Sequence, residues 1–184
     1  MPSGGGARVR YPRLVTTFDL RRTKLRPGEQ FRTELPVRLE PFELGGELYR
    51  PEPESPLALL AITRTGSGTV FELAFAVRLR GACMRCLGEA VVDAEVEARE
   101  YDEPSAEVEE LHSTYVEDDR LDLGTWARDA LSLGVPEQIL CRADCAGLCA
   151  GCGANLNDEV CRCAPPEPDT RWSKLSELKE RLGS

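Results

Sequence analysis

The sequence predicts an α+β fold: a small antiparallel sheet with packing helices and a Cys-rich C-terminal module. Three observations carry this expectation. Apolar and polar residues alternate in period two across residues 69–80 and 90–100. A single helical stripe follows at residues 121–133. Six of the eight cysteines crowd between Cys141 and Cys163. A chain of 184 residues, 41% hydrophobic and 30% charged, fits one domain with a small appendage. Three parts are expected. Residues 1–13 are a disordered N-terminus, residues 14–136 an α+β domain with a CxxC knuckle, and residues 137–184 a Cys-rich segment with a C-terminal helix.

The elements follow in order. Residues 1–13 are rich in Gly, Arg and Pro. Residues 14–20 are β-branched and apolar and read as a strand. Arg26-Pro27-Gly28-Glu29 is a turn. Residues 31–39 form a second strand, with Pro36 arguing for an edge position. Four prolines (Pro41, Pro51, Pro53, Pro56) and Gly45-Gly46 mark residues 41–56 as a loop. Residues 57–64 and 69–80 are two strands joined by Thr65-Gly66-Ser67-Gly68. On the second strand Phe71, Leu73, Phe75, Val77 and Leu79 share one face, which should meet the core. Residues 90–100 form a further strand, with Asp93, Glu95 and Glu97 on its wet face. Residues 102–120 read as a long acidic loop. The helix at 121–133 takes Asp122 as N-cap and Leu123, Trp126, Ala127, Ala130, Leu131 and Leu133 as its apolar face. Gly134 and Pro136 end it. Trp172, Leu175, Leu178 and Leu182 make the stripe of a short C-terminal helix.

Charge is unevenly spread. The chain carries 23 basic and 32 acidic side chains, a formal net charge of -9. Residues 89–122 alone hold fourteen acidic and two basic side chains. Such a stretch repels polyanions and suits a basic partner. The opposing feature is a basic N-terminal stretch with Arg21, Arg22 and Lys24, able to touch phosphate but poor in interleaved aromatics. No apolar run approaches the ~20 residues of a membrane span, so no membrane association is expected. The opening residues lack the apolar core of a secretory signal. The expectation is therefore a cytoplasmic protein whose cysteines stay reduced.

One histidine, His112, speaks against Ser-His-Asp and Cys-His catalysis, and it reads as a solvated loop residue. No Walker A loop, strand-linked GxGxxG or HExxH is present. A non-enzymatic protein is expected. The cysteines are Cys83, Cys86, Cys141, Cys145, Cys149, Cys152, Cys161 and Cys163. Two pairs have CxxC spacing, Cys83-Met84-Arg85-Cys86 and Cys149-Ala150-Gly151-Cys152. That spacing lets two thiolates of one tight turn converge on a single cation while turn N–H groups stabilise them. A disulfide framework and a redox CxxC fit less well, because no export signal and no βαβ setting accompany the pairs. The favoured reading is structural Zn2+, one or two ions. Cys149, Cys152, Cys161 and Cys163 can close one site. Cys83, Cys86, Cys141 and Cys145 can close a second. A single site using Cys83, Cys86 and one later pair is also open.

At these residues the chain resembles the YceD family of large ribosomal RNA subunit accumulation proteins. The matching blocks are Gly81-Ala82-Cys83-Met84-Arg85-Cys86-Leu87, Leu121-Asp122-Leu123 with Leu131-Ser132-Leu133-Gly134-Val135-Pro136, the run from Cys141 through Cys152-Gly153-Ala154-Asn155-Leu156-Asn157, and Asp169-Thr170-Arg171-Trp172. Ala150 and Thr170 stand where the family pattern commonly has proline. The resemblance implies a bacterial, cytoplasmic factor without enzymatic activity that supports 23S rRNA accumulation and large-subunit assembly. Three modes of action follow: binding a basic ribosomal protein or assembly factor, direct binding of 23S rRNA through the basic N-terminus and knuckles, or thiol- and metal-responsive regulation.

Overall fold

The long apolar alternation after the Thr65–Gly68 turn becomes the spine of the fold. The computed structural model describes residues 16–164. The expected disordered N-terminus and the expected helix at 172–182 lie outside the described residues. Among the described residues the strands are β1 (Thr17–Asp19), β2 (Gln30–Pro36), β3 (Phe42–Leu44), β4 (Glu47–Glu52), β5 (Leu57–Arg64), β6 (Thr69–Ala82), β7 (Glu89–Asp102), β8 (Val116–Glu117) and β9 (Arg120–Asp122). One α-helix, α1 (Leu123–Gly134), follows. No described helix is long and apolar enough to cross a membrane.

β6 is the central strand. It pairs with β7 along its whole length, from Thr69↔Asp102 to Ala82↔Glu89. Its opposite edge is shared: β5 takes the first half and β4 takes Arg78 to Arg80. β2 extends the sheet beyond β5, and β3 extends it beyond β4. All these pairings are antiparallel. Pro36 does sit on an edge strand, β2.

Two turn bonds set the phase of the ladder. Thr65 N donates to Gly68 O at 2.9 Å, and Cys83 N donates to Gly88 O at 2.7 Å. Counting along β6 in twos from either turn, its odd residues bond to β7 and its even residues bond to β5 and β4. The expected inward face is buried: Phe71, Leu73, Phe75, Val77 and Leu79 are all 6% exposed or less. α1 covers that face with Leu123, Trp126, Ala127 and Leu131, and Leu60, Ile62, Ala94 and Val96 fill in from the neighbouring strands. Asp122 caps α1 as expected, accepting from Thr125 N at 3.0 Å.

Three local readings need correction. Residues 41–56 are not a loop but contain the β3–β4 hairpin. Gly45 and Gly46 both have positive φ, +61° and +86°, the two-residue turn that matches strand twist. Pro51 is tolerated inside β4 because it faces Leu79, whose backbone groups turn toward β7, and β3 ends before reaching it. Residues 102–120 are likewise not all loop. Asp118 and Asp119, at φ of 49° and 59°, close the β8–β9 hairpin, and acidic side chains tolerate that left-handed conformation. β9 also pairs with β1, which ends at Asp19, one residue earlier than expected, because Leu20–Arg22 tightens into a 3-10 turn. Residues between β7 and β8 are tied down where Ser113 N donates to the buried Asp102 carboxylate at 3.1 Å. Finally, Leu133 is 89% exposed and lies outside the core. The helix rotates it away from the sheet, two positions past Leu131.

Phe71→Ala should cost about 3–5 kcal/mol in urea unfolding, since it empties a fully buried aromatic site. Leu133→Ala should fall within about 0.5 kcal/mol of the parent, as an exposed substitution does. A comparable cost for the two would contradict this core.

Candidate metal centres

The hairpin loop between β6 and β7 is the first CxxC turn. Cys83 N donates to Gly88 O, and Leu87 N donates to Cys83 O at 2.9 Å. The second CxxC turn repeats the pattern: Cys149 N donates to Ala154 O at 2.8 Å, and Gly153 N donates to Cys149 O at 2.8 Å. Leu87 and Gly153 occupy equivalent places, both at positive φ (59° and 75°). In each turn an N–H two residues on reaches back to the first sulfur, Arg85 N at 3.5 Å and Gly151 N at 3.4 Å. The chain thus builds one knuckle twice, from sequences that share little beyond their cysteines.

Each knuckle gathers two further thiols. Cys83, Cys86, Cys141 and Cys145 form one group, and Cys149, Cys152, Cys161 and Cys163 the other. Within each group all four sulfurs lie within 4.8 Å of one another. Individual separations are 3.8 Å for Cys83–Cys145 and 3.6 Å for Cys86–Cys141. In the second group they are 3.2 Å for Cys149–Cys161 and 3.7 Å for Cys152–Cys161. Four sulfurs about 2.3 Å from a tetrahedral ion stand about 3.8 Å apart. All eight cysteines are free, with no sulfur pair near the ~2.05 Å of a disulfide. The donor sets therefore fit a metal ion, and the arrangement is the two-set alternative of the three that the spacing left open.

The surroundings of the two groups differ. Cys83, Cys86 and Cys145 are buried in a small second core with Tyr49, Ala90 and Ile139. Tyr49 lies so close over Gly81 that an added Cβ would stand 2.4 Å from its ring, so only glycine fits there. The Tyr49 hydroxyl donates to Ala82 O at 2.7 Å, locking the ring against the knuckle. The second group is more open, with Cys152 and Cys163 exposed. Burial pushes the Cys83 thiol up, but the N–H groups of Cys86, Cys141 and Arg85 outweigh it and bring it down to about 6. Cys149 also falls to about 6, through the Cys161 thiol and the N–H groups of Cys152 and Gly151. Each group thus holds a ready thiolate for a soft cation near neutral pH.

Three residues take roles here that the sequence did not assign to them. Asn157 donates from Nδ2 to Cys145 Sγ at 3.4 Å, which holds the Cys145 thiol below its usual range. Its Oδ1 accepts from Ala146 N and Arg142, both at 2.8 Å. Asn155 accepts from Asn157 Nδ2 at 2.7 Å, joining the second knuckle to a thiol of the first group. Arg85 reaches across to Cys145 O at 3.2 Å and Gln138 at 3.3 Å. These contacts depend on the folded approach of distant segments, and only the Cys-Gly-x-Asn-Leu-Asn stretch hinted at them. His112 is in neither group and meets Ala106 O at 3.0 Å.

A family model described as "Large ribosomal RNA subunit accumulation protein YceD" matches residues 71–179, which include both four-cysteine groups. Uncharacterized proteins of Mycobacterium tuberculosis and Mycobacterium bovis are 31% identical over 180 residues, covering 95% of this chain and 86% of theirs. A protein of Arabidopsis thaliana, "Large ribosomal RNA subunit accumulation protein YCED homolog 1, chloroplastic", is 34% identical over 62 residues, 34% of this chain and 19% of that one. No solved structure matches the chain.

Asn157→Asp keeps the side-chain shape but removes the N–H given to Cys145. It should loosen metal at the first group roughly tenfold or more, as loss of a ligand-orienting partner does. Metal at the second group should stay in place. Two-phase release to a chelating dye measures both, and unchanged release from the first group would contradict the assigned role.

Proposed function

The chain belongs to the YceD family of large ribosomal RNA subunit accumulation proteins, and from that membership we propose a non-enzymatic factor that supports 23S rRNA accumulation and large ribosomal subunit assembly by binding a basic ribosomal protein or assembly factor. It works in the cytoplasm, where its thiols stay reduced, and holds two structural Zn2+ ions. Zinc suits four thiolates in a tetrahedral set, and four protein ligands leave no open position for a substrate.

The observation that favours a basic protein partner is the exposed acidic stretch. Glu95, Glu97, Glu107, Glu109, Glu110, Glu117, Asp118 and Asp119 all lie at the surface, along β7 and the segment after it, beside Glu89 and Asp93, which pair with Arg80 and Arg78. Charge of one sign there would speed encounter with a basic partner and lose strength with salt. Direct rRNA binding has less support. Of Arg85, Arg142 and Arg162, which stand beside cysteines, Arg162 is exposed and Arg85 is engaged with Cys145 O and Gln138. Arg142 is engaged with Asn157 and Asp144. Arg22, Lys24 and Arg26 remain exposed and keep that reading worth testing. A thiol-responsive regulator would need accessible sulfurs; three of the first group's four are buried, so that reading falls to the second group, where Cys152 and Cys163 are exposed.

Protein purified without chelator should carry two zinc ions per chain, read by atomic absorption. Iron in their place, or a metal-free chain that still unfolds cooperatively, would contradict the zinc reading. A pull-down from cells of the source organism should retain a basic ribosomal protein after RNase treatment. Loss of every partner on that treatment would leave RNA as the bound species.

A further inference from the structure

The outer edge of β7 pairs with no other strand among the described residues. β6 bonds through its odd residues, and the register β6↔β7 sets those against the even residues of β7. The N–H and C=O groups of Val91, Asp93, Glu95, Glu97 and Arg99 therefore point away from the sheet. An unpaired row of this kind is a template for a further strand. Three of these five residues are acidic, and their side chains share the solvent face of the sheet.

A groove of about 330 Å³ runs beside this edge, between β7 and α1. On the core side it is lined by Val96, Ala98, Trp126, Ala130 and Leu133. Leu133, 89% exposed, is a large apolar side chain that the domain itself leaves uncovered. A strand laid on β7 would send alternate side chains to two places. One set would stand beside Asp93, Glu95 and Glu97. The other would enter the groove beside Leu133.

We propose that β7 receives an extended segment of a basic partner as an added strand, with basic residues facing the acidic row and apolar residues filling the α1 groove. The segment spans residues 91–99 of β7, about 30 Å at the rise of a strand. A second copy of β7 does not suit the edge, because it would bring one acidic row beside another, and like charges across a strand pair are destabilising. Main-chain bonds supply affinity and the two rows of side chains supply selectivity. This inference rests on the reading of a basic protein partner and says how that partner is held.

The test uses the full metal-loaded chain and a fluorescent nine-residue peptide of alternating Lys and Val. Binding is read by anisotropy and should weaken as salt rises. A peptide with Asp for Lys should not bind. Glu97→Gln should weaken binding by about two- to fivefold, the worth of one exposed charge pair. Glu97→Pro removes the same charge and also an outward N–H, and should weaken binding roughly tenfold beyond Glu97→Gln. Its fold should survive, because that N–H makes no bond to β6. Equal affinities for Glu97→Gln and Glu97→Pro would overturn strand addition while leaving attraction of a basic partner intact. Hydrogen exchange on the unsubstituted chain gives an answer independent of any variant. Peptide binding should newly protect the amides of Val91, Asp93, Glu95, Glu97 and Arg99. Protection elsewhere, or no binding of the Lys/Val peptide, would overturn the inference. The RNase-treated pull-down then separately decides whether a basic protein partner exists.

Discussion

The described residues that follow α1, 135–164, depend on the convergence of four sulfurs. Between residue 135 and the end of the described chain there is no helix or strand, only an isolated bridge between Leu148 and Asn155. What positions this stretch is the meeting of Cys83 and Cys86 with Cys141 and Cys145, supported by a small core around Tyr49 and Ile139. Cys83 and Cys145 are 62 residues apart in the chain, so their approach carries a loop-closure cost. A few apolar contacts offset that cost only weakly. A filled thiolate centre adds its binding free energy to folding. The second group then rests on the first, through Asn155, Asn157 and the bond from Leu148 N to Arg85 O at 3.1 Å.

The spine and the first centre are physically one element. β6 and β7 form a fourteen-residue ladder, and their hairpin loop is itself the first knuckle. A slip of one residue between these strands would turn the apolar face of one of them to solvent and distort the turn that holds Cys83 and Cys86. The same period-two geometry shapes the free edge. Side-chain direction and backbone bonding direction alternate together along a strand. The residues that turn their backbone groups outward on β7 are consequently those that turn acidic side chains to solvent. Surface charge and unpaired edge thus coincide for a geometric reason.

Much of the fold is legible in local pattern. The β5–β6 hairpin, the inward face from Phe71 to Leu79, the edge position of Pro36 and the Asp122 cap all follow from alternation, turn residues or capping chemistry. The misread parts have a common cause. Prolines at 41–56 and the acidic run at 102–120 suggested loops, because composition describes breakers without showing where their missing N–H groups point. Pro51 stands opposite Leu79 with its backbone nitrogen turned away from β6, and Asp118-Asp119 forms a tight turn that most residues avoid. Leu133 reads as part of the apolar face of the helix by its spacing from Ala130. Its exposure depends on how far α1 is rotated over the sheet.

The chain by itself names the chemistry: eight thiols, two knuckles, an acidic stretch and an amphipathic sheet. These are short-range properties, set by residue type and by spacings of one to four positions. The division of eight cysteines into two groups of four is a different matter. It depends on which distant segments meet, and hence on the β6–β7 register, the Tyr49–Gly81 contact and the Asn157 bonds that bring residues 141–157 against the hairpin loop. The open edge of β7 is decided in the same way. Alternation marks it as a strand, but only the assembled sheet leaves it last in line.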